Sequence, residues 1–347
     1  MQQFSLRYHS GGMLTRLLFI VVLVAALAAG GLWWWSSLPL TLPPLAAQED
    51  SVDLQIATGS SAGGISRLIA KATGGGAGQE ILMNLWLRAT GKAGELKAGS
   101  YEITYGDSPR SLIEKIASGK QSLRAVTFIE GWNWRQVRAA LAKAKHLKND
   151  SASLSDAQLM ARLGRADQHP EGRFFPDTYR YAKGSSDITV LRAAMQTLDK
   201  QLAAAWEARR ADLPLKSADD LLIMASIVEK ETGTAKDRAT ISGVFTNRLK
   251  INMRLQTDPT VIYGLGESFD GNIRKRDLQT DTPYNTYTRA GLPPTPIAMM
   301  GAAALQAAAQ PADTRALYFV ARGDGSSEFS ETLDAHNRAV DKYIRGR

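Results

Sequence analysis

LLFIVVLVAALAAGGLWWW, residues 17 to 35, is a run of 19 residues without a charge. At about 1.5 Å per residue such a helix reaches across the hydrocarbon core of a bilayer. Arg7 and Arg16 precede it, and the first charges after it are Glu49 and Asp50. Positive residues stay on the cytoplasmic side, so the pattern predicts a cytoplasmic tail over 1–16 and an exported remainder. Trp33, Trp34 and Trp35 then lie at the far interface, where indole rings sit. The competing reading is a cleaved signal peptide with a poor site near LAAQ. Apolar regions of signal peptides run only about 7–15 residues, which favours the anchor.

The chain has 347 residues and a formal net charge of +8. About +2 of that lies in the N-terminal tail, and the rest is dispersed. No dense Lys/Arg run with interleaved aromatics points to nucleic acid. A mildly basic surface suits an anionic polymer or a membrane face. There is no cysteine, which excludes disulfides, thiolate catalysis and thiolate metal sites. The four histidines, His9, His146, His169 and His336, show no metal-ligand spacing. Nothing in the sequence asks for a metal or a cofactor.

The prolines of residues 36–51 and their lack of helical period predict an extended linker. Residues 52–126 read as a small α/β unit: strand DLQIAT, two amphipathic helices, strand LKAGSYEIT, a helix from Pro109 to Gly119, and a closing strand LRAVTFIEG. Residues 127–218 are mostly helical. Between their helices lies HPEGRFFPDTYRY, an aromatic loop. Its Phe174, Phe175, Tyr179 and Tyr181 either form a sugar-binding wall or plug the core. The whole is an α+β chain: one transmembrane helix (17–35), a small α/β subdomain (52–126) and a larger mixed α+β domain (127–347).

The chemistry gathers after residue 217. Ser217 and Asp220 mark a helix start, and Gly233 its stop. Leu221 to Val228 is an almost wholly apolar run that leads into Glu229 and Glu231. Leu222, Ser226 and Glu229 share a face, so the Glu229 carboxyl emerges from a low-dielectric wall. Desolvation raises a carboxyl's pKa and suits it to general acid work. The plainer alternative is a solvated helix end. Glu231 lies about 200° around the helix, so the two carboxylates are not expected to share a site. Downstream, MRLQTDPTVIYGLG and TPYNTYTRAGLPPTPIA read as long structured binding loops. They offer Gln256, Thr257, Asp258, Tyr263, Tyr284, Asn285 and Tyr287 as hydrogen-bonding groups, with Asp258 held extended by Pro259. Asp258 as a turn residue and packed tyrosines are the structural alternatives. His336 is expected at a rim.

ASIVEKET, VFTNRL, MRLQTDPTVIYG, YNTYTRAGLPPTPI and YFVARGDGSSEFSETLDAHN, in that order, resemble the endolytic murein transglycosylase family, also called MltG or YceG-like. LKAGSYEI, FIEGWNW and EGRFFPDTYRY are similar to its upstream motifs, so the resemblance spans about residues 50 to 345. It implies a single-pass inner-membrane protein with a periplasmic LysM-like subdomain (52–126) and a catalytic domain (127–347). It implies a lyase that cleaves peptidoglycan glycan strands between MurNAc and GlcNAc and leaves 1,6-anhydro-MurNAc ends. It carries the catalytic acid onto the first Glu of EKET, Glu229. Beside that acid, Gln256, Tyr263, Tyr284 and Asn285 are expected to position the substrate or contact its N-acetyl group. Peptidoglycan synthases are partners at the family level. A muramidase-type hydrolase using Asp258, and a non-catalytic glycan-binding scaffold, are the other expectations.

Overall fold

The computed structural model describes residues 12–44, 51–231 and 234–346. The chain divides into two compact units, Met1–Leu123 and Arg124–Arg347. The Gly233 helix stop, the start of the expected tail and residues 45–50 of the expected linker lie outside the described residues.

The first unit opens with helix α1 (Gly12–Trp35). Its residues 13–35 are long and apolar enough to cross a membrane, with a mean hydropathy of 2.4. Then come β1 (Ser51–Ile56), α2 (Ala62–Thr73), α3 (Gly76–Thr90), β2 (Gly99–Thr104) and α4 (Pro109–Ser118). β1 and β2 pair antiparallel, with Leu54 opposite Tyr101. Ser61 caps α2 by accepting from the Gly64 amide, and Pro109 opens α4 behind a Ser108–Ser111 capping box. Leu54, Ile65, Ile69, Met83, Leu87, Tyr101, Ile103, Leu112 and Ile116 form the core.

The described part of the segment after α1, residues 36–44, packs on the first unit. Leu40 is buried in the core of this unit and its amide donates to the Asp107 carbonyl at 2.7 Å. The Arg110 amide donates to Ser36, and the Arg110 guanidinium lies 3.8 Å from the Trp33 ring centre. Trp33 meets Trp86 edge to face at 5.5 Å. Leucine burial and the cation–π contact hold this segment on the unit.

The second unit begins with β3 (Leu123–Thr127), then α5 (Trp134–Lys143), α6 (Asp156–Arg162), β4 (Thr178–Ala182) and α7 (Asp187–Glu207). β3 pairs with β4, so the strand expected to close the small sheet belongs to another one. The aromatic loop is core and tie, not an open sugar wall. Phe174 is fully buried and stacks on Trp134 at 5.0 Å. The Tyr179 hydroxyl donates to the Phe175 carbonyl and the Tyr181 hydroxyl to that of Lys145.

Next come α8 (Ala218–Glu231), α9 (Ala235–Lys250), α10 (Asp258–Leu265), α11 (Lys275–Gln279), α12 (Ala302–Ala309), β5 (Tyr318–Ala321), β6 (Ser327–Ser330) and α13 (Leu333–Tyr343). Leu221 to Val228 are all buried, which makes α8 the central helix of its core. Each fully buried Leu or Ile contributes about 1.5–3 kcal/mol by leaving water, so this run is a main source of the unit's stability. Ile241 and Phe245 of α9 pack on it, as do Leu305 and the alanines of α12. Part of the region expected as loop is helix: α10 starts at Asp258, with Pro259 in its first turn. Proline needs no amide donor there and its φ suits the helix, so Asp258 is a first-turn residue and not an extended one.

Candidate active site

Glu229 and Glu231 leave the end of α8 in different directions, as their spacing predicts. The Ser226–Glu229 face is pinned to the loop before α12. The Ile297 amide donates to Ser226 Oγ at 3.0 Å, and the Gly301 amide to Glu229 Oε2 at 3.1 Å. Gly301 caps α12, so Glu229 places a negative charge at that helix N-terminus. Glu130 crowds the same spot: a Cβ on Gly301 would lie 1.8 Å from its Oε1. Burial pushes the Glu229 carboxyl up, the Gly301 amide pulls it down, and the nearby Glu130 charge raises it again.

Glu231 lines a cavity of about 410 Å³ with Arg248, Gln256, Asp258, Tyr287 and His336. The Thr257 hydroxyl donates to Glu231 Oε1. Burial pushes the Glu231 carboxyl up, the Thr257 bond lowers it, and the Asp258 charge raises it further. Thr257 is fixed from behind: its amide donates to Thr286 Oγ1 at 3.0 Å, and Thr260 Oγ1 meets Thr286 Oγ1 at 2.9 Å. These hydroxyls are buried, so a low-dielectric network holds the Glu231 partner rigid. Gln256 sits at φ +50°, a left-handed conformation unusual for a non-glycine residue, and turns toward the same cavity.

Arg248 is buried and donates to the carbonyls of Leu317 at 2.6 Å and Leu255 at 2.8 Å. It is a fixed positive charge facing Glu231. The Tyr287 hydroxyl donates to Asp258 Oδ1 at 2.5 Å. His336 stacks on Tyr318 at 5.3 Å, and burial lowers its pKa. The arrangement offers a raised carboxyl, a second carboxylate and a cation around one space, which can protonate and then deprotonate a bound oxygen. Among the described residues no group of His, Asp or Glu could hold a metal ion.

The expected binding residues divide. Gln256 and Asp258 line the Glu231 cavity, and Thr257 bonds Glu231 itself. Tyr263 and Tyr284 line a different cavity, of about 600 Å³, and meet edge to face at 4.8 Å. Asn285 has no free polar group to offer a ligand. Its Nδ2 donates to the carbonyls of Asp277, Leu278 and Thr280, and its Oδ1 accepts from the Tyr287 amide, so it ties down the end of α11. Tyr287, offered by TPYNTYT beside Tyr284 and Asn285, lines the Glu231 cavity. Arg248 was not anticipated. Arg248 looked like an ordinary basic residue in the last turn of α9.

Comparison with known proteins follows the same residues. The family model described as YceG-like matches residues 54–342. The chain is 33% identical over 316 residues to an endolytic murein transglycosylase of Bacillus subtilis (strain 168), covering 86% of each chain. It is 26% identical over 290 residues to the protein of that name from Streptococcus pneumoniae (serotype 2, strain D39), covering 73% of this chain and 52% of that one. It therefore spans about half the length of the pneumococcal relative. The crystal structure of a yceG-like protein from Listeria monocytogenes aligns with TM-score 0.52 and 29% identity, over 83% of this chain and 98% of that one. Family match and relatives agree over the unit that carries both cavities: the chain belongs to the YceG-like family.

Proposed function

We propose that the chain is a lytic transglycosylase that cleaves peptidoglycan glycan strands internally, with Glu231 as its acid and base. The observation that carries this is the half-buried Glu231 carboxyl on the wall of a cavity, held by Thr257 and faced by Arg248. The names of the relatives supply the substrate class.

Glu231 first gives its proton to the glycosidic oxygen between MurNAc and GlcNAc, and the C1–O bond breaks. The carboxylate then takes the proton of the same sugar's C6 hydroxyl, whose oxygen bonds to C1. The product ends in 1,6-anhydro-MurNAc, and no water is consumed. The neighbouring acetamido group assists by stabilising the positive C1, so one carboxyl suffices. Glu229, expected as the acid from sequence, is the second candidate. Its bond to Gly301 and its place at the start of α12 favour a structural task.

One observation favours a hydrolase as second reading: Asp258 lines the same cavity as Glu231 and could activate water. Mass spectrometry of peptidoglycan digested by the full-length chain separates the readings. Products lighter by one water than the hydrolysis products support the lyase, and reducing ends support the hydrolase. A folded chain that binds glycan and cleaves nothing supports a scaffold.

The apolar helix α1 supports a single-pass inner-membrane anchor with the catalytic unit in the periplasm. The β1–α2–α3–β2 order, with its antiparallel pair, supports reading the first unit as LysM-like. Synthases of the same polymer are the protein partners this reading adds.

A further inference from the structure

A second cavity, larger than the one holding Glu231, lies across α10 from it. Asp258, first in that helix, faces the Glu231 side. Pro259, Ile262 and Tyr263 face the other. Lys230, between the two glutamates of α8, also turns to the second side. A branched polymer could therefore place its backbone in one cavity and a branch in the other.

The chemistry of the second cavity selects the kind of branch. Three of its aromatic rings, those of Trp134, Tyr263 and Tyr284, are poor platforms for a pyranose; Phe269 also lines it. Trp134 is 4% exposed and already stacked on Phe174, and its Nε1 donates to Asp156 at 2.8 Å. Tyr263 and Tyr284 cover each other edge to face. Its anions are also occupied. Both Glu171 oxygens accept from the Trp134 amide, at 3.1 and 3.0 Å, and Asp156 also takes Arg138 at 3.3 Å.

Its cations are held loosely. Arg135 pairs with Glu267, and these side chains are 52% and 85% exposed, while its charge also reaches Glu171 without a hydrogen bond among the described residues. An ion pair so open to water contributes little and yields readily to a better anion. Among the described residues Lys230 donates to one carbonyl, Gly131, at 3.2 Å. The chemistry left for a ligand is thus two positive groups at the rim of a partly apolar hollow.

We infer that this cavity is a subsite for a carboxylate-bearing peptide branch, with Arg135 and Lys230 as its anion-binding residues. The inference rests on the proposed peptidoglycan substrate, whose glycan carries peptide stems ending in carboxylates. The glycan lies along Glu231 while a stem crosses α10 into the second cavity. The subsite gives affinity for stem-bearing strands and takes no part in bond cleavage.

The test compares full-length wild type with Arg135→Gln, Lys230→Gln and the double variant. Two substrates are used: intact glycan strands, and strands stripped of stems by an amidase. Loss of a charge-assisted contact predicts that the double variant raises KM on intact strands about 10-fold, with kcat held. On stripped strands it should match wild type. Equal weakening on both substrates would place a sugar in the cavity and overturn the inference, as would no change on either. Direct titration of free stem peptide onto each protein is independent of cleavage. Binding by wild type that the double variant loses supports the subsite, and no binding by wild type overturns it. A wild type that binds the peptide but cleaves neither substrate would instead refute the proposed function. Arg135→Lys, which keeps the charge, should restore most of the peptide affinity.

Discussion

The Tyr287 hydroxyl and Asp258 Oδ1 lie 2.5 Å apart on the wall that also carries Glu231. Tyrosine is the donor, and burial and the Asp258 bond both push its pKa well above the ordinary phenol range. Asp258 is thereby held in a fixed orientation.

Tyr287→Phe removes that donor without changing ring volume. A lost bond to a charged group costs about 1.5–3 kcal/mol, so kcat/KM should fall by roughly 10- to 100-fold. Asp258→Asn should lower turnover and leave the product class unchanged, as read by mass spectrometry. A switch in product class would mean that Asp258 handles the attacking oxygen.

Thr257 lowers the pKa of Glu231 through its hydroxyl, against the larger upward push of burial. An acid with a raised pKa stays protonated to higher pH than an ordinary glutamate, so the alkaline fall of kcat/KM should lie above about pH 4.3. Thr257→Val removes the lowering contact. The alkaline limb should then move upward, read from a kcat/KM profile. A downward shift would contradict the assignment.

Glu171 is buried, and its carboxyl is pushed up to about 7 by desolvation, with the Trp134 amide and the Tyr263 hydroxyl opposing. Its folded pKa exceeds its unfolded one, so the unfolded state loses this proton first as pH rises. The group's stabilising effect is complete below about pH 4.5 and declines as pH rises toward 7. Thermal unfolding of Glu171→Gln against pH should lack about 3 kcal/mol of this decline. Parallel curves for the two proteins would refute it.

Asn285→Ala strands three carbonyls and one amide that the side chain now serves. Several lost buried bonds predict a destabilisation of roughly 3 kcal/mol in denaturant unfolding. KM of the folded fraction should stay near wild type.

Much of this arrangement was legible in local pattern. The apolar run of Leu221 to Val228 marked the central helix, Pro109 and Gly119 bracketed α4, and the 200° between Glu229 and Glu231 separated their sites. What the pattern did not show depended on distant partners. Glu231 and Glu229 are held by Thr257 and Gly301, which reach α8 from 26 and 72 residues along the chain. β3 leaves the small sheet because β4 lies beside it, a pairing that strand composition does not encode. Asp-Pro read as extended chain because a proline in the first helical turn looks the same in sequence as one in a loop.

The central claim is that Glu231, and not Glu229, transfers the proton. The most direct measurement is the turnover of full-length Glu231→Gln and Glu229→Gln on isolated peptidoglycan, with thermal unfolding of both. A general acid contributes about 10²- to 10⁴-fold, so Glu231→Gln should lose at least 100-fold in kcat and remain folded. Glu229→Gln should keep kcat within a few-fold and lose about 1 kcal/mol of stability from its bond to Gly301. A folded, inactive Glu229→Gln beside an active Glu231→Gln would contradict the account.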